Sequence, residues 1–78
     1  MTTSITTLAL NLLVSERIGQ RYIFADKIIQ LIHDTKDGNK KDFLNVIHMC
    51  IEDPSSEARN TFFKLAEYYT EKLNGAAA

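Results

Sequence analysis

The chain has 78 residues, a formal net charge of −1 and a hydrophobic fraction of 45%. Three glycines and one proline are too few for a fold of many short strands and turns, so we predict an all-α fold. A single cysteine excludes an internal disulfide, and near-neutral charge lacks the basic excess of non-specific nucleic-acid binders. We predict one helical domain over residues 1–78, with frayed ends at residues 1–3 and 75–78.

The first predicted helix begins near Ser4 and ends at Arg17 or Ile18, with Gly19 as its stop. At about 100° per residue, its apolar side chains cover most of the circumference instead of one stripe. These side chains are Ile5, Leu8, Ala9, Leu10, Leu12, Leu13, Val14 and Ile18. Such a helix must be covered, either by a second molecule or by the other helices of a monomer in which it is central.

The second predicted helix covers residues 20–35 and has a wide apolar face around Ala25 and Ile28. We favour a break at Gly19 over one continuous helix through it. The segment 35–40 predicts a reversal, because Asp37-Gly38 is a typical turn pair and Asn39 is suited to cap the next helix.

The third predicted helix covers residues 40–52, and Asp53-Pro54 predicts a tight connection in which Asp53 is the N-cap of the fourth helix. The fourth helix extends to about Leu73, with Asn74-Gly75 as its stop. The short connection favours an antiparallel C-terminal hairpin of helices three and four. We therefore predict a three- to four-helix bundle, with helices one and two closing the core or a dimer seam.

Catalytic and metal-binding patterns are weak in this sequence. Placing Gly38 sixth in a calcium loop puts Leu44 twelfth, where a bidentate carboxylate is required. His33, His48 and Cys50 have no zinc-site spacing, and no nucleophile is paired with a base. We predict no metal, no cofactor and no enzymatic activity. The apolar run 8–14 is too short to span a membrane and no secretory signal pattern precedes it, so we expect a cytoplasmic protein.

Excess apolar surface is the most informative feature. Burying a few Leu-sized side chains, at about 1.5 to 3 kcal/mol each, would rival the net stability of so small a domain. We therefore expect a homodimeric adaptor or regulator that also binds a protein partner not identified by the sequence. The residues predicted at the dimer or partner interface are Ile5, Leu8, Leu12, Leu13, Ile23, Met49, Phe63 and Tyr68.

Two other functions remain open. Ser55, Ser56, Arg59 and Asn60 follow the turn between helices three and four, as in a helix-turn-helix DNA-binding regulator. Against this reading, the neighbouring carboxylates would face the phosphates. A third, weaker interpretation concerns the small apolar residues of the tail 73–78, which resemble ends that bacterial unfolding proteases engage.

Overall fold

A computed structural model describes residues 4–53 and 55–77, with side chains for 4–53 and 55–73. It contains four helices: α1 (Ile5–Val14), α2 (Ile18–Leu31), α3 (Asn39–Glu52) and α4 (Ser56–Ala77). No strand occurs in the described ranges, which confirms the predicted all-α fold. Of the ends that we expected to fray, residues 1–3 and Ala78 lie outside the described residues, and residues 75–77 belong to α4.

The start of α1 is fastened to α4. The backbone N–H of Thr6 donates to the Ser4 hydroxyl at 3.1 Å and to Thr70 Oγ1 at 3.2 Å. Because the Thr70 hydroxyl donates to the carbonyl of Ala66, the 2.9 Å contact between the two threonine hydroxyls has Thr6 as its donor. Ser4 is thus the N-cap of α1, in agreement with the predicted start of this helix near Ser4, and α4 supplies a second acceptor to the same helix end.

The predicted break between the first two helices is present, but its predicted position at Gly19 is wrong, because the chain leaves the helix at residues 15–17 and Gly19 lies in the first turn of α2. A Cβ atom at Gly19 would meet nothing within 4 Å, and no described residue has a positive φ, so the backbone there does not require glycine. The second helix also ends earlier than predicted, at Leu31.

Arg21 accounts for the position of this break. Its Nε donates to the carbonyl of Ser15 at 2.8 Å, just after α1, and its Nη1 donates to the carbonyl of Ile51 at 2.9 Å, near the end of α3. Both acceptors are carbonyls that the ends of helices leave without partners, and a guanidinium also suits the negative end of a helix dipole. The Arg21 side chain of α2 is therefore hydrogen-bonded to the ends of both α1 and α3.

The caps of α3 and α4 differ from those predicted. The third helix begins at Asn39, and the Asp37 carboxylate, not Asn39, accepts from the backbone N–H at its start. The backbone N–H of Asp53 donates to the carbonyl of Met49, so Asp53 closes α3. Ser55 accepts from the N–H of Ala58 and takes the capping role that we predicted for Asp53. Pro54 lies outside the described residues.

The predicted stop of the fourth helix at Asn74-Gly75 is also wrong, because α4 continues to Ala77. Each helix packs against the next in the chain, and α4 returns to pack against α1. Within the described residues no Cα atom of α2 lies within 8 Å of one in α4, whereas α1 and α3 each approach all the other helices this closely.

The core is a single cluster formed by all four helices. Its buried side chains are Ile5, Leu8, Ala9, Leu12, Ala25, Ile28, Ile32, Phe43, Val46, Ile47, Cys50, Ile51, Ala58, Phe62, Ala66 and Tyr69. The buried residues of α1 follow the helical spacing of three and four, so one side of this helix faces the core of its own chain.

We predict that Leu12→Ala lowers the free energy of unfolding by about 2 to 5 kcal/mol, because it leaves a cavity where the side chain is 0% exposed. The matched control is Leu10→Ala on the same helix, where the side chain is 51% exposed and a loss below about 1 kcal/mol is expected. Urea unfolding followed by circular dichroism measures both. Equal losses in the two variants would contradict the assignment of α1 to the core.

Candidate interaction surfaces

The eight residues predicted at an interface fall into three groups. Three are buried in the core of the single chain: Ile5, Leu8 and Leu12. Two are partly buried: Leu13 and Phe63. Three are exposed: Ile23, Met49 and Tyr68. The first group is covered by the chain's own helices, so only the other two groups are accessible to a second molecule in this fold.

The exposed apolar residues of α1 and α2 include four that we did not single out as interface residues. On α1, Leu10 and Val14 are four apart and share the face opposite the buried residues. On α2, Ile18 and Tyr22 are again four apart. Val14 is 66% exposed and Ile18 is 54% exposed. We call these four residues the corner surface, because they flank the turn between α1 and α2.

The turn between α1 and α2 holds the two halves of the corner surface near each other. Only residues 15–17 separate Val14 from Ile18, so an extended chain limits the distance between their Cα atoms to roughly 14 Å. A standard protein interface covers about 800 Å² per partner, which is roughly 30 Å across. One interface is therefore wide enough to include both halves.

A second surface is a groove of about 300 Å³ between α3 and the start of α4, which we call the α3–α4 groove. Val46, Met49 and Ala58 supply its apolar side chains. Val46 and Ala58 are buried members of the core, whereas Met49 is 54% exposed at the groove. The accessible surface of the groove is mostly apolar.

Two carboxylates also line the α3–α4 groove: Asp42 from the first turn of α3 and Glu57 from the first turn of α4. No lysine or arginine is among the described residues that line it. The groove therefore combines an apolar floor with negative charge, a combination that attracts cationic and repels anionic partners.

Asp37, in the turn between α2 and α3, is a strongly perturbed titratable group. Its Oδ2 atom accepts from the Lys72 ammonium at 2.6 Å and from the Tyr68 hydroxyl at 3.3 Å. Its Oδ1 atom accepts from the Tyr69 hydroxyl at 2.7 Å and from the Asn39 backbone N–H at 2.9 Å. All the donors except Asn39 come from α4, so this carboxylate fastens the turn to the last helix.

These contacts shift three pKa values. The hydrogen bond from Lys72, and then that from Tyr69, hold the pKa of Asp37 well below its usual range. Burial, and then the Asp37 carboxylate, raise the pKa of Tyr69, while the hydrogen bond to Asp37 raises that of Lys72. Perturbed pKa values often mark active sites, but here the perturbing groups are each other's partners. Each Asp37 oxygen already accepts two hydrogen bonds, so these contacts serve to link the α2–α3 turn to α4.

The remaining candidate ligands and nucleophiles are dispersed. Cys50 is buried, and desolvation raises the pKa of its thiol to about 11, which makes it a poor nucleophile near neutral pH. His48 is exposed on the same helix. Within residues 4–53 and 55–77, no three His, Cys, Asp or Glu side chains are grouped as a metal site requires.

None of the helices, over the part of the chain that is described, is both long and apolar enough to cross a membrane. Comparison with protein-family models, with curated proteins and with solved structures found no match to this chain.

The low pKa of Asp37 predicts an acid-sensitive contribution to stability. In the unfolded chain the carboxyl takes up its proton near pH 4, whereas in the folded chain it does so only at lower pH. The stabilisation is therefore complete above about pH 4 and declines as the pH falls further. Asp37→Asn should make the free energy of unfolding less dependent on pH between about pH 4 and pH 2.

Chemical unfolding at a series of pH values measures this dependence. The matched control is Asp34→Asn, which removes the same charge from an exposed side chain in the same turn. Because Asp37 and its partners are intact in this control, it should retain the wild-type loss of stability below pH 4. If the Asp37→Asn protein loses as much stability below pH 4 as the wild type does, the proposed role of the Asp37 contacts is refuted.

Proposed function

We propose that this protein is a small non-enzymatic protein–protein interaction module, an adaptor or regulator, that associates with a second copy of itself through the corner surface. The observation that carries the proposal is the exposure of Leu10, Val14, Ile18 and Tyr22 on a domain whose core already buries the opposite side of α1. Covering the exposed half of one such side chain contributes about 1 kcal/mol. In a two-fold dimer every contact occurs twice, so a few buried residues contribute substantially to the free energy of dimerisation.

We also infer that α3 and α4 form an antiparallel hairpin. Two features support this arrangement. Phe43, early in α3, stacks on Tyr69, late in α4, with ring centroids 5.0 Å apart. Met49, late in α3, lines the same groove as Ala58, early in α4. In this arrangement the hairpin presents the α3–α4 groove on a side of the molecule built from helices other than those of the corner surface.

A helix-turn-helix DNA-binding function is the second hypothesis from the sequence. Arg59 and Asn60 are exposed near the start of α4, as that function requires. Glu57 is in the first turn of α4 and lines the α3–α4 groove together with Asp42, and both carboxylates would repel phosphates. The charge around the turn therefore favours a protein partner over DNA.

We predict that the wild-type protein forms dimers and that Val14→Glu combined with Ile18→Glu weakens dimerisation at least about 100-fold, since each copy would place two carboxylates in an apolar seam. Both side chains are exposed in the single chain, so the fold should persist. Leu12 is unsuitable for this test because a buried glutamate there would unfold the chain. Light scattering and sedimentation over a concentration series measure the mass.

The control is Gln30→Glu combined with Asn60→Glu, which adds the same charge at exposed polar positions away from the corner surface. It should dimerise like the wild type. A wild-type mass of one chain at every concentration would refute the dimer. Salt-sensitive binding to a short DNA duplex that is lost in Arg59→Ala would favour the helix-turn-helix function instead.

A further inference from the structure

We propose that the α3–α4 groove binds a cationic amphipathic helix of a partner protein, which inserts an apolar side chain between flanking lysines or arginines. This inference rests on the proposed function, because it assigns the chemistry of the partner that an adaptor would bind. It concerns a surface distinct from the one proposed for self-association.

The groove offers an apolar side chain a place to bind. Its floor is formed by Val46 and Ala58, which belong to the core and are therefore held rigidly. Met49 lies at its edge and is more than half exposed. Methionine side chains are flexible and polarisable, and they recur at surfaces that adapt to helical partners. A rigid floor with an adaptable edge suits the insertion of a leucine or phenylalanine.

The dimensions of the groove match a helix. The residues of α3 that line it recur at steps of three and four and end at Asp42 and Met49. At 1.5 Å per residue, these two residues are about 10 Å apart along the helix axis. This length corresponds to two turns of a partner helix with apolar anchors at positions i, i+3, i+4 and i+7, the usual pattern of a helix bound in a groove.

Charge selects among amphipathic helices. Asp42 and Glu57 both line the groove, and no basic side chain among its described residues neutralises them. Residues 42–78 contain six acidic and three basic side chains, so the surrounding sequence is negative as well. An acidic amphipathic helix would bring like charges together next to an apolar contact, which is unfavourable. A helix with basic residues beside its apolar stripe is complementary to both features.

The probe is a labelled, end-blocked peptide of about 18 residues, long enough to form a helix, with leucines at i, i+3, i+4 and i+7 and lysines on both sides. Two matched peptides replace either every lysine with glutamate or every leucine with serine. Fluorescence anisotropy at physiological salt measures binding to the full chain. The lysine–leucine peptide should bind, and each matched peptide should bind at least about tenfold more weakly.

The protein variant that tests the site is Asp42→Asn combined with Glu57→Gln, which removes both carboxylates from exposed positions while preserving their shape. It should weaken binding of the lysine–leucine peptide about tenfold, because two partly screened ion pairs are lost. The control is Asp26→Asn combined with Glu67→Gln, which makes the same change in net charge at exposed positions outside the groove. It should bind within about twofold of the wild type.

Amide chemical shifts locate the bound peptide. Shifts centred on Asn45, Met49 and Thr61 would support the proposal, since all three line the groove. Equal binding by the two protein variants, equal binding of the glutamate peptide, or shifts centred on the corner surface would overturn it. If the peptide does not bind but the protein dimerises, this inference fails and the proposed self-association stands. If the peptide binds in the groove but the protein is strictly monomeric, this inference stands and the proposed self-association fails.

Discussion

The packing of α1 is the constraint on which the rest of the structure depends. Over residues 4–53 and 55–77, four helices share one small core, and α1 contributes Ile5, Leu8, Ala9 and Leu12 to it while contacting each of the other helices. A helix of ten residues is marginal by itself in water, so α1 exists because its buried side is covered. Once that side is used, no described side chain of the protein covers Leu10 and Val14 on its other side.

Polar contacts determine where the helices end and how they meet. Arg21 donates to carbonyls at the ends of α1 and α3, Asp37 joins the α2–α3 turn to α4, and Thr6 joins the start of α1 to Thr70. Each contact satisfies a group that a helix end or a turn would otherwise leave without a partner. The perturbed pKa values of Asp37, Tyr69 and Lys72 follow from the contact between Asp37 and α4. We therefore attribute these shifts to a stabilising contact.

The two surfaces that support the proposed function differ in chemistry. The corner surface displays aliphatic and aromatic side chains from α1 and α2, whereas the α3–α4 groove adds carboxylates to an apolar floor. An apolar surface suits association with an identical copy, because like surfaces carry no repelling charge across a two-fold axis. An acidic groove would repel its own copy and is better suited to a different, cationic partner. The adaptor function that we propose rests on these two surfaces.

The sequence by itself determined the all-α class, the approximate places of the helices and the start of α1 near Ser4, because these depend on local periodicity and capping. Only the tertiary structure decided that Leu8 and Leu12 face the core while Leu10 and Val14 do not, since a helix apolar on most sides gives no local indication of which side is covered. It also decided the break before Ile18 and the contacts of Asp37 with α4, because the partners Ile51, Tyr69 and Lys72 lie about 30 residues or more away along the chain. Contacts at such separations depend on how the helices pack, which no local pattern records.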